Sequence, residues 1–207
     1  MKLIQPITVT NSVLTASNVA EDDYPVWSAG TSYASGAFVI VTGATHKVYQ
    51  SAIGSNLGNN PVTDDGSNWI EISATNRWKA FDQRLAEQVT KAGSITYSLT
   101  APSLVTGIAF FNVAGASVRV QVTDTASPGV EVFDQTQSLV DDTEIVDWFT
   151  FFTTDIDGFI TEALFSGMAA YPGYTIDITI GDGSGTAKIG QIVLGKALTL
   201  GETLEGT

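Results

Sequence analysis

Val118-Arg119-Val120-Gln121-Val122 and Thr175-Ile176-Asp177-Ile178-Thr179-Ile180 both alternate apolar and polar side chains. An extended chain points successive side chains to opposite faces, so each stretch has one apolar and one polar face, as a half-buried strand does. Working outward, strands are expected at residues 94–99, 107–112, 130–134, 147–153 and 188–194, each bounded by Gly, Pro, Asn or Asp. Short strands separated by turn residues predict an all-β fold of the sandwich or barrel kind. One short helix is expected over residues 76–88, where Trp78, Phe81 and Leu85 recur three and four apart.

The chain has 207 residues, enough for one large domain or two small ones. Only 15% are charged, against about a quarter in ordinary soluble proteins. Within that small set 22 acids face 9 bases, giving a net charge of -13. Such a chain is not suited to neutralising a row of phosphates, which argues against nucleic acid as a partner. Hydrophobic residues at 43% are too many for a disordered acidic chain. The absence of cysteine excludes thiol catalysis, iron–sulfur clusters, disulfide frameworks and thiolate zinc. A single histidine, His46, excludes any site built from two imidazoles. The opening MKLIQPITVT does not read as a secretory leader, and no apolar run approaches the roughly 18–20 residues of a membrane helix.

Composition divides the chain near Ala74. Residues 24–74 carry Trp27, Tyr33, Tyr49 and Trp69 among many Gly, Asn and Ser, whereas residues 75–207 carry seven of the nine bases and the regular strand patterns. Residues 1–23 are expected as an extended lead-in, with strand character over 9–14 and Glu21-Asp22-Asp23 as a solvated turn.

The first region contains Trp27, Tyr33-Ala-Ser-Gly36-Ala-Phe38-Val39, Lys47-Val48-Tyr49-Gln50-Ser51, Asn59-Asn60-Pro61 and Trp69. It resembles the chitin- and cellulose-binding modules of the family 5/12 type over residues 24–72. That resemblance implies a small β-module in which Trp27, Tyr33 and Trp69 are the rings that would stack on sugars. A unit of about 50 residues also needs large rings to fill its interior, so the competing expectation is that all three are core. Ala37 departs from the pattern, in which Asp commonly follows that glycine. His46, in the turn 42–47, is expected to be exposed.

Next comes Thr75-Asn76-Arg77-Trp78-Lys79-Ala80-Phe81-Asp82, and later Gly107-Ile-Ala-Phe-Phe-Asn112 and Ala187-Lys-Ile-Gly-Gln-Ile-Val-Leu-Gly195. In this order the whole chain is similar to a class of tailed-bacteriophage virion proteins of the tail or tail tip. In that class a sugar-module-like domain is fused to a galactose-binding-like or jelly-roll β-sandwich. The resemblance implies a structural protein of the virion whose partners are other tail proteins, copies of itself and host-surface glycan. No enzymatic activity, cofactor or metal is expected from the residues, while the resemblance to galactose-binding-like sandwiches leaves room for one structural calcium. The residues themselves add that Asn76 would cap the helix, that Trp78 and Phe81 would bury against the sandwich, and that Arg77 and Asp82 would pair across the junction. Other readings are a carbohydrate-binding module protein directed at a polysaccharide and a tail-associated glycan hydrolase.

Paired carboxylates, as glycosidases need, occur at Asp22-Asp23, Asp64-Asp65, Asp141-Asp142 with Glu144, and Asp155 with Asp157. Adjacent acids among turn residues read as backbone-bonding turns rather than as catalysts. Residues 155–158 lack the remaining ligands of a calcium loop, and Gly181–Gly185 lacks the Lys that follows a phosphate loop. The terminal leucines Leu198, Leu200 and Leu204 are expected to pack on the parent domain or on a neighbouring subunit. With many acids placed in turns, the strand faces are nearly uncharged, which suits burial against other subunits.

Overall fold

The computed structural model describes residues 2–126, 129–140, 147–153, 160–181 and 185–199. Two five-stranded sheets share one hydrophobic core. The first orders β1 (Lys2–Pro6), β13 (Thr186–Thr199), β8 (Val105–Ala114) and β11 (Glu162–Ala170), with β6 (Val89–Ala92) also paired to β13. The second orders β10 (Val130–Ser138), β9 (Ser117–Asp124), β12 (Thr175–Gly181), β7 (Ile95–Thr100) and β2 (Leu14–Ser17). Every pairing is antiparallel. The fold is a jelly-roll-like β-sandwich.

Its second sheet follows directly from the alternation read in the sequence. Register sets Ile176 beside Val122 and Leu99, Ile178 beside Val120 and Tyr97, and Ile180 beside Val118 and Ile95. These three rows are all buried, while the residues between them face outward. From the opposite sheet Ile108, Phe110, Phe165, Ile192 and Leu194 join the same core, with Phe110 and Phe165 edge to face at 5.8 Å.

A third sheet, β3 (Phe38–Val41), β4 (Lys47–Ser51) and β5 (Trp69–Ala74), forms the aromatic module around Val39, Tyr49 and Trp69.

Three expectations change, and one strand is added. The first 23 residues are not a lead-in: β1 pairs with β13 and β2 with β7, one strand for each sheet, and Val9, Val13 and Val19 enter the core. Pro6 lies against Gly195, where a Cβ would collide with the Gln5 carbonyl, so this glycine is what lets β1 dock. Residues 76–88 hold a single 3-10 turn, Lys79–Phe81, instead of a helix. Gln83 adopts φ 64, outside the right-handed helical region, and the chain turns back to enter β6 at Val89. Residues 147–153 are not a strand: Trp148–Thr153 is the helix α1, with Thr153 Oγ1 donating to the Phe149 carbonyl at 2.7 Å. β11 was not foreseen, because its outward Leu164 and inward Ala163 and Phe165 blur the period of two.

Candidate functional site

The three rings proposed for sugar stacking sit within the module. Trp69 is only 2% exposed, and its indole N–H donates to the Asn59 carbonyl at 2.9 Å. Tyr33 meets it edge-on at 5.2 Å, and the Tyr33 hydroxyl accepts from the Ser28 N–H. Trp27 packs against the same cluster. Trp69 therefore has no open face for a ligand, because a three-stranded sheet has little else with which to exclude water. Buried Asn56 donates to Ser51 Oγ and the Asn68 carbonyl, and Asn59 donates to Asn56 Oδ1. The Asp64 carboxylate accepts from the N–H groups of Gly66, Asn68 and Trp69 and from the Asn68 amide. Those bonds favour its ionised form and hold its pKa at about 2. Asp65 accepts from the Ser67 N–H, so this acidic pair is turn structure.

The junction is built differently from the expected pairing. Arg77 does not meet Asp82; its Nε donates to the Val19 carbonyl at 2.8 Å and its Nη1 lies 3.5 Å from Glu21. The same Glu21 carboxylate, 10% exposed, accepts from Thr75 Oγ1 at 2.7 Å and from His46 Nδ1 at 2.6 Å. His46 is thus not an exposed turn residue: it is 7% exposed, with its ring 4.8 Å from that of Trp78. Its partners lie 25 and 32 residues away, beyond the reach of local pattern. Asn76 caps no helix, since its side chain donates to the Thr90 carbonyl and accepts from the Thr90 N–H, tying the junction to β6. Its own N–H donates to Asp23, which places that acid in the junction too. Trp78 is buried in the sandwich core with Phe81 packed against it. Asp82 Oδ1 accepts from the Arg84 N–H, and burial raises the Asp82 pKa above its ordinary value.

Among the described residues the most exposed aromatic surface lies elsewhere, on α1. Trp148, Phe149 and Phe152 are 78%, 74% and 76% exposed, and the Trp148 and Phe152 rings stack at 6.1 Å. An i, i+4 pair on a helical turn brings such rings together. Sequence reading missed this surface by assigning it to a strand, although its signal, four aromatics in Trp148-Phe-Thr-Phe-Phe-Thr, is plain. A further exposed ring, Tyr24, stacks on Phe38 at 4.9 Å. On the outer face of the first sheet, half-exposed Leu3 and Leu164 flank a cavity of about 540 Å³ with Phe111 and Val193.

Among the described residues no three His, Asp or Glu side chains gather to hold a metal ion. Asp141, Asp142, Glu144, Asp155, Asp157, most of the Gly181–Gly185 turn, Leu200 and Leu204 lie outside the described residues.

No family model and no curated protein matches the chain. Similar solved structures include chitosan-binding module 1 from a chitosanase/glucanase of a Paenibacillus species, at 14% identity and TM-score 0.36, covering 58% of this chain and 84% of that one. An F5/8 type C domain from Bacteroides fragilis is 10% identical with TM-score 0.39, covering 57% and 78%. A Clostridium perfringens structure in complex with GalNAc-β-1,3-galactose is 7% identical with TM-score 0.38, covering 60% and 85%.

Proposed function

We propose that this chain is a non-enzymatic protein of a tailed-phage tail, at or near the tail tip, that contacts host-surface glycan and assembles with other tail proteins and copies of itself. The observation that carries the glycan contact is the aromatic surface of α1, where three rings are each about three-quarters exposed. Exposed aromatic rings are costly to leave in water and offer flat apolar faces, which suit the apolar C–H faces of sugar rings. Trp148 leads this contact, and the buried Trp69 has only a structural role. Assembly is supported by the largely apolar outer sheet face around Leu3 and Leu164, where Glu162 is the one charged residue lining the cavity, so that covering it strips water from few ions. The location in a virion rests on the likeness of the junction and closing-strand motifs to tail proteins. No helix of the described residues is long and apolar enough to cross a membrane.

Two measurements test the proposal. Immunogold electron microscopy should place the chain at the distal end of a phage tail; labelling confined to the capsid, or none on intact particles, would overturn the assignment. On an array of bacterial surface polysaccharides, Trp148→Ala should lose retention while its melting curve stays unchanged. Retention that survives this change would remove α1 as the contact. Retention by an isolated protein that labels no particle would favour the second reading, a carbohydrate-binding protein directed at a polysaccharide.

A further inference from the structure

β10 is an edge strand of the second sheet, nine residues long, paired on one side with β9 and exposed along most of its length. Among the described residues no hydrogen bond outside that ladder reaches a β10 backbone group. In an antiparallel pair alternate residues turn their N–H and C=O groups away from the partner. The outer side of β10 therefore presents a row of unpaired donors and acceptors, a template for another strand.

The other edges are guarded. β1 carries Lys2 and Pro6, β2 and β6 have four residues each, and β11 breaks register between Ser166 and Ala170, where Gly167 adopts φ 85. In the aromatic module the Ile40 N–H of β3 donates to the Pro25 carbonyl, and Arg84 donates to the Ile72 carbonyl of β5. β10 holds no Lys, Arg or Pro, and its one irregularity, between Glu131 and Phe133, leaves the stretch from Phe133 to Ser138 regular.

We infer that β10 pairs antiparallel with β10 of a second copy about a twofold axis at Gln135, joining their five-stranded sheets into one. The strand is complementary to itself in this register. Each Gln135 faces its own copy, and a carboxamide both donates and accepts, so the two side chains bond each other. Asp134 faces Thr136 of the second copy, whose hydroxyl donates to the carboxylate, and Phe133 faces Gln137. Asp134 is already held by Arg119, whose Nε donates to it at 2.8 Å, so the seam between two acidic chains carries little unanswered charge. An axis at Asp134 would set that acid against itself. An axis at Thr136 would set Phe133 against Leu139, whose N–H and C=O are already bonded to Ala116 and Ile160. This pairing deepens the self-assembly in the proposed function and rests on that reading, but it uses no residue of α1 or of the face around Leu3 and Leu164.

Analytical ultracentrifugation of the full chain should show a concentration-dependent dimer, with amide exchange slowing in β10 and unchanged in β11 as the dimer forms. Gln135→Lys sets two like charges together at the axis, so it should raise the dimer dissociation constant about tenfold or more without lowering the melting temperature of the monomer. The chain has no cysteine, so Gln135→Cys introduces a single thiol. Its copies should link under air oxidation, because directly opposed Cβ atoms lie ~5 Å apart, near the reach of a disulfide. Thr179→Cys, on the middle strand of the same sheet, should not link. A dimer that forms undiminished in Gln135→Lys and does not link through Gln135→Cys overturns the β10 pairing and leaves self-assembly standing. A chain that stays monomeric at every concentration overturns both. Linking through Thr136→Cys in place of Gln135→Cys overturns the axis.

Discussion

Glu21 and His46, 25 residues apart in the chain, meet at 2.6 Å in the angle between the aromatic module and the sandwich. Glu21 comes from the segment between β2 and β3, and His46 from the turn between β3 and β4. Because Thr75 and Arg77 reach the same carboxylate, one buried acid gathers both sides of the junction.

Glu21→Ala should therefore cost about 2–4 kcal/mol, since it leaves the imidazole, hydroxyl and guanidinium groups without their acceptor. Chemical denaturation monitored by tryptophan fluorescence measures this. A cost under about 0.5 kcal/mol, the level of ordinary surface substitutions, would mean that the carboxylate does not hold the junction.

Trp69→Ala should cost the module about 3–5 kcal/mol, as removal of a buried large ring does. Hydrogen exchange should show β3, β4 and β5 opening while β9 and β12 stay protected. Simultaneous loss of protection throughout would mean that module and sandwich unfold as one unit.

Asp64 gives the module an acid limit. Its pKa is held at about 2 in the folded chain against an ordinary 3.8, so the unfolded chain takes up the proton first as pH falls. The stabilisation is complete above the ordinary value and is lost between there and about 2. Asp64→Ala should lower the melting temperature at pH 7 and flatten its decline below pH 4. An unchanged pH profile in the variant would show that the loop's N–H groups contribute no such dependence.

Gly195→Ala should destabilise the first sheet by about 1–3 kcal/mol, because the new methyl meets the backbone of β1 at Gln5. Calorimetry should record the loss together with reduced protection of the β1 amides. An undiminished melting temperature would mean that β1 contributes little to stability.

Much of the sandwich was legible because β9 and β12 bury one face and leave the other in water, so burial is written as period two. β8 and β13 are legible instead as near-continuous apolar stretches bounded by turn residues; β8 extends two residues beyond the expected span at each end, whereas β13 continues five residues past its expected end. α1 resisted, since a six-residue run of aromatics and threonines satisfies either period. The site was less legible than the fold. Trp69, Tyr33 and Trp27 each have two competing uses in the sequence, and which use prevails depends on what covers each ring. Arg77 was paired with Asp82 because they are close in sequence, whereas its acidic partner lies on the far side of the whole module. Pattern reads neighbours along the chain; the junction is made by residues brought together from three separate segments.

The pairing of β1 with β13 also sets how the molecule carries load. Lys2 stands opposite Thr199, and the rungs run inward from there to Pro6 opposite Gly195. Tension applied across these two outer positions would pull along the direction of the rungs, peeling the strands apart one hydrogen bond at a time from the outermost pair. A sandwich closed in this way is a weak link under end-to-end force, and in an assembly under strain it would yield first at this seam, leaving the three buried rows of β7, β9 and β12 intact.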